Sequence, residues 1–364
     1  MTAGLNPTVA PWVAILTGQN FGPYTLERFL GAGTFGLVFE AVNHSTNGRF
    51  AVKVLIPGAN AEAILDFQNE GILLQQLNSC EGVIGYVDGD VHHIDMCTGI
   101  AGVIVPMAVH YHVLTMASGS LDELISNPVA RARLGWIEKL KIWRSAVKAL
   151  HQMHLRAVAH RDLKSSNCLL MIRQNQTHAR WADLGRAKDM RSPASRAPVE
   201  YLHGRGDMRF APPEYLYLQG GSAAEDFIAA DYYGLGSLLV ELISGHPMSS
   251  LALGDIRAIL TEAELDLIAG RRRDLSSLDL KFRKVIADLV EVLPRSIQVD
   301  VKVLLSTLCH PVAKARLTRS PYRRDRLNRD GLEWILRRVD ILIKRLEIEH
   351  RAAARSNNRL EVSA

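Results

Sequence analysis

From Ala159 to Leu170 the chain reads Ala-His-Arg-Asp-Leu-Lys-Ser-Ser-Asn-Cys-Leu-Leu, which sets a carboxylate (Asp162), an amine (Lys164) and an amide (Asn167) within six residues. Sixteen residues past Asn167 comes Asp183, in Asp183-Leu184-Gly185. Carboxylate, amide and carboxylate at these intervals can hold Mg²⁺ through hard oxygen donors and orient a hydroxyl for phosphoryl transfer. The plain alternative is a polar loop capping the helix before it. Such a loop has no use for all of these residue types in this order.

Two further segments carry chemistry. Leu30-Gly31-Ala32-Gly33-Thr34-Phe35-Gly36-Leu37-Val38 contains G-x-G-x-x-G. Glycines at Gly31, Gly33 and Gly36 let backbone N–H groups approach phosphate oxygens with no Cβ in the way. A structural hairpin would use the same residues. The segment after the glycines, Leu37–Val42, has strand character, whereas dinucleotide binding requires a helix there. Lys53 follows in the apolar run Ala51-Val52-Lys53, and Glu70 comes seventeen residues later. A Lys–Glu pair between a strand and a helix would aim an ammonium at phosphate oxygens; a solvated edge lysine is the other reading.

The elements that must position these groups are legible from periodicity. Strands are expected at Tyr24–Leu30, Leu37–Val42 and Arg49–Leu55, with Asn47-Gly48 as a hairpin turn. A helix is expected over Ala61–Leu77, with Ile64, Phe67, Gly71, Leu74 and Leu77 on one face. Strands follow around Val83–Val91, Gly102–Val109 and Tyr111–Met116. The pattern then becomes helical: Leu121–Ile125 with Ser120 as N-cap, the amphipathic Trp136–Leu155, and the apolar Tyr232–Ile243. A β-rich front and an α-rich back make an α+β, two-lobed architecture.

Together these segments resemble the eukaryotic-like (Hanks-type) Ser/Thr protein kinase family. The signature set of glycine loop, strand Lys, H-R-D-L-x-x-x-N, D-F-G and A-P-E occurs in order as Gly31/Gly33/Gly36, Lys53, Glu70, His160–Asn167, Asp183–Gly185 and Pro212-Pro213-Glu214. The likeness runs from about Phe21 to Thr318, some four fifths of the chain. It implies a kinase domain over 21–319, with an N-lobe at about 21–114 and a C-lobe at about 118–319, preceded by an extension (1–20) and followed by a basic tail (320–364). It also implies ATP and Mg²⁺ as cofactors. Gly31, Gly33 and Gly36 would cover the phosphates, and Lys53, held by Glu70, would contact them. Val38, Ala51 and Leu169 would sandwich the adenine, with Leu114 behind it. Asn167 and Asp183 would bind Mg²⁺. Asp162 would orient or deprotonate the acceptor hydroxyl, Lys164 would neutralise γ-phosphate charge, and Asp231 would brace the loop backbone. Lys164 within H-R-D-L-K favours Ser/Thr acceptors of protein substrates, the chain itself included.

Three departures stand out. Leu184 replaces the usual Phe and fills a similar apolar slot. Asp207 stands where Ser/Thr kinases usually carry Thr, which adds a negative charge beside Asp162. Pro311, Arg316 and Thr318 resemble the closing P-x-x-R-x-T element with two extra residues; Arg316 is expected to pair with Glu214. Arg161 implies a loop that phosphate can order, with Ser192, Ser195 and Tyr201 as acceptors. A flexible, soluble loop is the alternative.

The chain has 364 residues, 48% of them hydrophobic and 22% charged, so bulk disorder and coiled coil are excluded. The net charge of +5 is uneven: 311–364 carries 14 basic and 7 acidic residues, which leaves −2 for the rest. A nucleic-acid partner is therefore not expected. Four scattered cysteines and no uninterrupted apolar run of about 18 residues favour a cytoplasmic protein. Ala-, Arg- and Leu-rich composition suggests a bacterial source. The helix expected over Asp330–Arg355 is basic and amphipathic; it would pack on the main domain or form a homodimer, with a membrane surface or a partner groove as alternatives. The rival functions are a pseudokinase scaffold and a small-molecule phosphotransferase. Degraded catalytic motifs would mark the first, and a looser catalytic loop without A-P-E the second.

Overall fold

The computed structural model describes residues 9–33, 36–97, 104–174, 176–193, 197–204, 206–317 and 331–362. Thr34, Phe35, Ser195, Thr318 and 320–330 of the features above lie outside them. The chain divides into two compact units, Met1–Ser118 with Asp183–Gly185, and Gly119–Ala182 with Arg186–Ala364.

The first unit opens with helix α1 (Ala10–Leu16) and builds an antiparallel sheet from β1 (Asn20–Phe21), β2 (Tyr24–Ala32), β3 (Gly36–Asn43), β4 (Arg49–Leu55), β5 (Tyr86–Cys97) and β6 (Ile104–Thr115), in the order β1-β2-β3-β4-β6-β5. Side chains alternate across a strand. Leu37, Phe39, Val52, Val54 and Val113 therefore share one face and form a core with Val9, Val13 and Leu16. The segment expected as an extension thus contributes three core side chains. Asn47 takes the left-handed turn conformation (φ 54°), and the Asn43 N–H donates to the Gly48 carbonyl, closing the β3–β4 hairpin. β6 runs unbroken where two strands, at 102–109 and 111–116, were expected. Pairing with β5 from Cys97↔Ile104 to Tyr86↔Leu114 carries it through His110.

Helix α2 (Ala61–Gln76) starts at the N-cap Asn60, whose side chain accepts from the Ala63 N–H at 2.9 Å. It lies by His112, whose ring stacks on Phe67 at 4.0 Å while its Nε2 donates to the Phe67 carbonyl. A Cβ on Gly71 would stand 2.6 Å from the His112 ring, so only glycine allows this approach.

In the second unit β7 (Gly119–Ser120) leads into α3 (Leu121–Ser126), capped by Ser120 as expected, then α4 (Pro128–Arg133) and α5 (Trp136–Leu155). Next come β8 (Val158–Ala159), the hairpin β9 (Cys168–Arg173) and β10 (Gln176–Trp181), and β11 (Lys188–Asp189), which pairs with β8. Helices α6 (Pro213–Leu216), α7 (Ala224–Ser244), α8 (Met248–Leu253), α9 (Ile256–Ile268), α10 (Asp279–Glu291), α11 (Arg295–Leu308) and α12 (Ala313–Leu317) precede the last, α13 (Glu333–Val362).

Helix α7 starts eight residues before the expected Tyr232. It is long and apolar enough, by composition, to cross a bilayer, against the expectation that no segment would be. Most of it is buried within its unit, where Trp143 of α5 donates its Nε1–H to the Leu235 carbonyl at 2.8 Å. Helix α13 buries Ile335, Val339, Leu342 and Leu346 and packs on α5 and α11. Arg144–Asp340, Lys141–Glu347 and Arg345–Asp300 pairs flank that seam.

Candidate active site

Within the first unit, Lys53 of β4 is the focus. Its Nζ lies 2.6 Å from Glu70 Oε2 on α2 and 2.9 Å from Asp183 Oδ1. Burial alone would lower the Lys53 pKa, but the two carboxylates outweigh it and hold the ammonium well above its ordinary value. Burial pushes the Glu70 carboxyl up against the pull of Lys53. Glu70 Oε1 is buried with no hydrogen-bond partner among the described residues. Asp183 is held with φ at 60°, a conformation rare for residues other than glycine. Gly36 sits over the lysine: a Cβ there would meet Lys53 Cε at 3.2 Å and the Val54 carbonyl at 3.3 Å. Register places Val38 directly across from Lys53, and Ala51 across from Leu114, so all four share the lysine's face of the sheet. Gly31 and Gly33 are at the β2 end of the glycine turn.

Within the second unit the loop from His160 to Asn167 is built around Asp231 of α7. This fully buried carboxylate accepts from the backbone N–H of His160 at 2.8 Å and of Arg161 at 2.7 Å. Arg161 itself adopts φ 67°. Asn167 donates through Nδ2 to the Asp162 carbonyl at 2.8 Å and to Asp162 Oδ2 at 3.1 Å. Lys164 Nζ stands 3.1 Å from the same Oδ2. The Asp162 carboxylate is therefore oriented by an amide and an ammonium. With Asn167 Nδ2 so engaged, its Oδ1 is left as an acceptor of the hard type that Mg²⁺ takes. Leu169 follows on β9.

The substrate-side segment comes against Asp162 within this unit. The Asp207 N–H donates to Asp162 Oδ1 at 3.2 Å, and a Cβ on Gly206 would meet that oxygen at 2.7 Å. The Asp207 carboxylate is hydrogen-bonded by Arg209, with Oδ2 2.7 Å from Nη2. Burial raises the Asp207 carboxyl, but the Arg209 hydrogen bonds and charge more than reverse this and leave it below its usual range. Glu214 and Arg316 form the expected pair despite the wide spacing, at 2.8 Å on both carboxylate oxygens.

Some residues escaped sequence reasoning. His154 of α5 is one: its Nε2 contacts Asp231 Oδ2 at 2.8 Å, and its position eight residues before Asp162 was the only signal. Glu241 lies on an apolar helix with no outward mark. Ser165 donates to its Oε2 at 2.6 Å and, in an alternative arrangement, to Asp122 Oδ1 at 3.1 Å. Burial pushes the Glu241 carboxyl up to about 7.

A glycine turn over a strand lysine paired to a helix glutamate, in a sheet-built unit, and an H-R-D loop braced by a buried aspartate, in a helical one, define the two-lobed kinase fold. The chain belongs to the protein kinase domain family, whose match covers residues 24–326. It is 28% identical over 238 residues to calcium/calmodulin-regulated receptor-like kinase 2 of Arabidopsis thaliana, covering 64% of this chain and 47% of that protein. It is 29% identical over 238 residues to the calcium/calmodulin-dependent protein kinase cmkA of Emericella nidulans, covering 64% and 50%. A leucine-rich repeat receptor-like serine/threonine-protein kinase of Arabidopsis thaliana is 28% identical over 254 residues, covering 64% and 26%. The chain thus spans between about a quarter and a half of the length of these relatives.

Proposed function

We propose that the chain transfers the γ-phosphate of ATP to Ser or Thr hydroxyls of proteins, itself included. The observation that carries this reading is Lys53 held at 2.6 Å by Glu70 within the first unit. An ammonium so fixed is a preorganised phosphate ligand, and phosphoryl transfer depends on positioning and charge neutralisation more than on covalent chemistry. Lys53 binds the α- and β-phosphates under the glycine turn. Val38, Ala51 and Leu169 contact adenine. Asn167 and Asp183 hold Mg²⁺, which supplies charge neutralisation on the phosphates. Asp162 accepts a hydrogen bond from the acceptor hydroxyl and takes its proton as the bond to the γ-phosphorus forms and the bond from that phosphorus to the departing ADP oxygen breaks. Lys164 favours Ser and Thr. The three relatives are plant and fungal kinases; the bacterial source rests on composition alone. The buried free thiols of Cys80, Cys168 and Cys309 support a reducing, cytoplasmic setting.

Labelled ATP and Mg²⁺ test the reading, with Asp162→Asn and Asp183→Asn alongside. Label on Ser or Thr in the wild type alone is the expected result. ATP binding without any transfer to itself or to casein would favour the scaffold instead.

A further inference from the structure

The side chain of Arg161 is the one charged group of the H-R-D loop that no carboxylate holds among the described residues. Its backbone N–H is fixed by Asp231, but its Nε is buried without a hydrogen-bond partner among the described residues, Nη1 reaches the Arg186 carbonyl at 3.5 Å, and the guanidinium also acts on the buried Tyr215 hydroxyl. The guanidinium instead lies against two neighbouring aromatic rings, 4.6 Å from the centroid of Phe227 and 5.6 Å from that of Tyr201. Phe227 belongs to α7. Tyr201 belongs to the segment that runs on to Gly206 and Asp207, whose backbone meets Asp162. The rings are themselves 5.9 Å apart and form a buried cluster with Ala159 of β8. The anchorage continues through the backbone of Tyr201 and Leu202. Gly220 N–H donates to the Leu202 carbonyl at 2.9 Å, and a Cβ on Gly220 would strike the Tyr201 carbonyl at 2.3 Å. A guanidinium over aromatic faces is attracted by the ring quadrupoles, the more so where water is excluded.

We propose that Tyr201 is a positioning residue: with Phe227 it clasps Arg161, and so orders the Asp162 loop and the segment leading to Asp207 without a phosphate on that segment. The inference rests on the phosphotransfer reading above and narrows its regulation. A phosphate on Ser192 would not be needed. Ser192 is exposed, and its backbone N–H is already turned back on the Asp189 carbonyl at 3.1 Å.

Full-length wild type, Tyr201→Phe, Tyr201→Leu and Ser192→Ala/Ser195→Ala are treated with a phosphatase, freed of it, and assayed on casein for kcat and for the KM of ATP. Phosphatase-treated wild type and the Ser-to-Ala chain should keep their rates within about twofold, and Tyr201→Phe, which retains the ring, within about threefold. Tyr201→Leu should lose roughly tenfold or more in kcat with the KM of ATP little changed, the equivalent of one desolvated cation–aromatic contact. Full kcat in Tyr201→Leu, or loss of wild-type activity on dephosphorylation, would overturn the clasp and leave the kinase reading intact. Amide exchange over 198–204 is followed on the same proteins, so that an inactive wild type, which defeats the kinase reading, still decides the clasp. Faster exchange in Tyr201→Leu than in Tyr201→Phe supports it, and equal exchange overturns it.

Discussion

Two buried ion clusters of this protein are built to opposite rules. Arg316 is fully buried, and all five of its N–H donors have acceptors. Two go to Glu214, and one each to the carbonyls of His310, Ala229 and Pro311. Its guanidinium also lies 4.9 Å from the Tyr233 ring centroid. Nothing there is left for a ligand. The Lys53 cluster has two carboxylates for one ammonium, a buried Glu70 oxygen without a partner among the described residues, and an Asp183 side chain 41% exposed. A saturated pair holds a fold together, whereas an unbalanced one has charge that a phosphate or a cation can answer.

The contrast can be broken from either side. Arg316→Met should be the most damaging substitution to the fold, because it strands Glu214 in a dry site. A loss of about 3–5 kcal/mol in urea unfolding is expected, and a stability within 1 kcal/mol of wild type would show the pair to be dispensable. Lys53→Met should do the reverse. Phosphate transfer should fall by roughly 10²–10³ or more, the cost of one preorganised charge, while stability falls less than in Arg316→Met, because the Glu70 carboxyl, already pushed up by burial, can take a proton. Wild-type turnover in that variant would remove Lys53 from its assigned role.

Glu241 tests a third arrangement, a buried carboxyl whose Oε1 has no partner among the described residues. Its pKa is raised from 4.5 to about 7 by burial, against the lesser pull of the Ser165 hydrogen bond. Between these values the folded protein holds a proton that the unfolded chain has released. The contribution to stability is therefore fully present below pH 4.5, declines as pH rises towards 7, and is level above it. Glu241→Gln should flatten that part of the stability profile, read by thermal unfolding between pH 5 and 8. An unchanged slope would assign the dependence to other groups. Arg209→Ala probes the smallest effect. Losing the exposed partner of Asp207 should raise the Asp207 pKa and lower kcat by about two- to fivefold, the range of a weak surface pair. A pH–rate profile follows both.

What was legible in the residues divides along physical lines. Short-range signals transferred well. The Asn47-Gly48 turn, the Ser120 cap and the α2 and α5 periodicities each depend on a few neighbouring residues, and each is found in place. The site's chemistry was legible because Asp162, Lys164 and Asn167 come from one loop and Lys53 from one strand. The β9–β10 hairpin was missed, since the sequence from 174 to 175 has no glycine to mark a turn. The full lengths of β6 and α7 were also missed, because pairing with β5 and burial within the second unit extend them beyond any local pattern.

The sequence by itself determined the kind of chemistry, the order of the motifs and the alternation that turns Ala51 and Lys53 to one face of their strand. Those features follow from residue type and from the fixed periods of strand and helix. Tertiary structure decided which charges meet. Asp231 closes on His154 and on the H-R-D backbone from seventy or more residues away. Arg209 takes up the unusual Asp207, Glu241 is shut away from water, and two rings pack against Arg161. Side-chain charge is written in the chain, but its partners and its dielectric exist only once distant segments pack together.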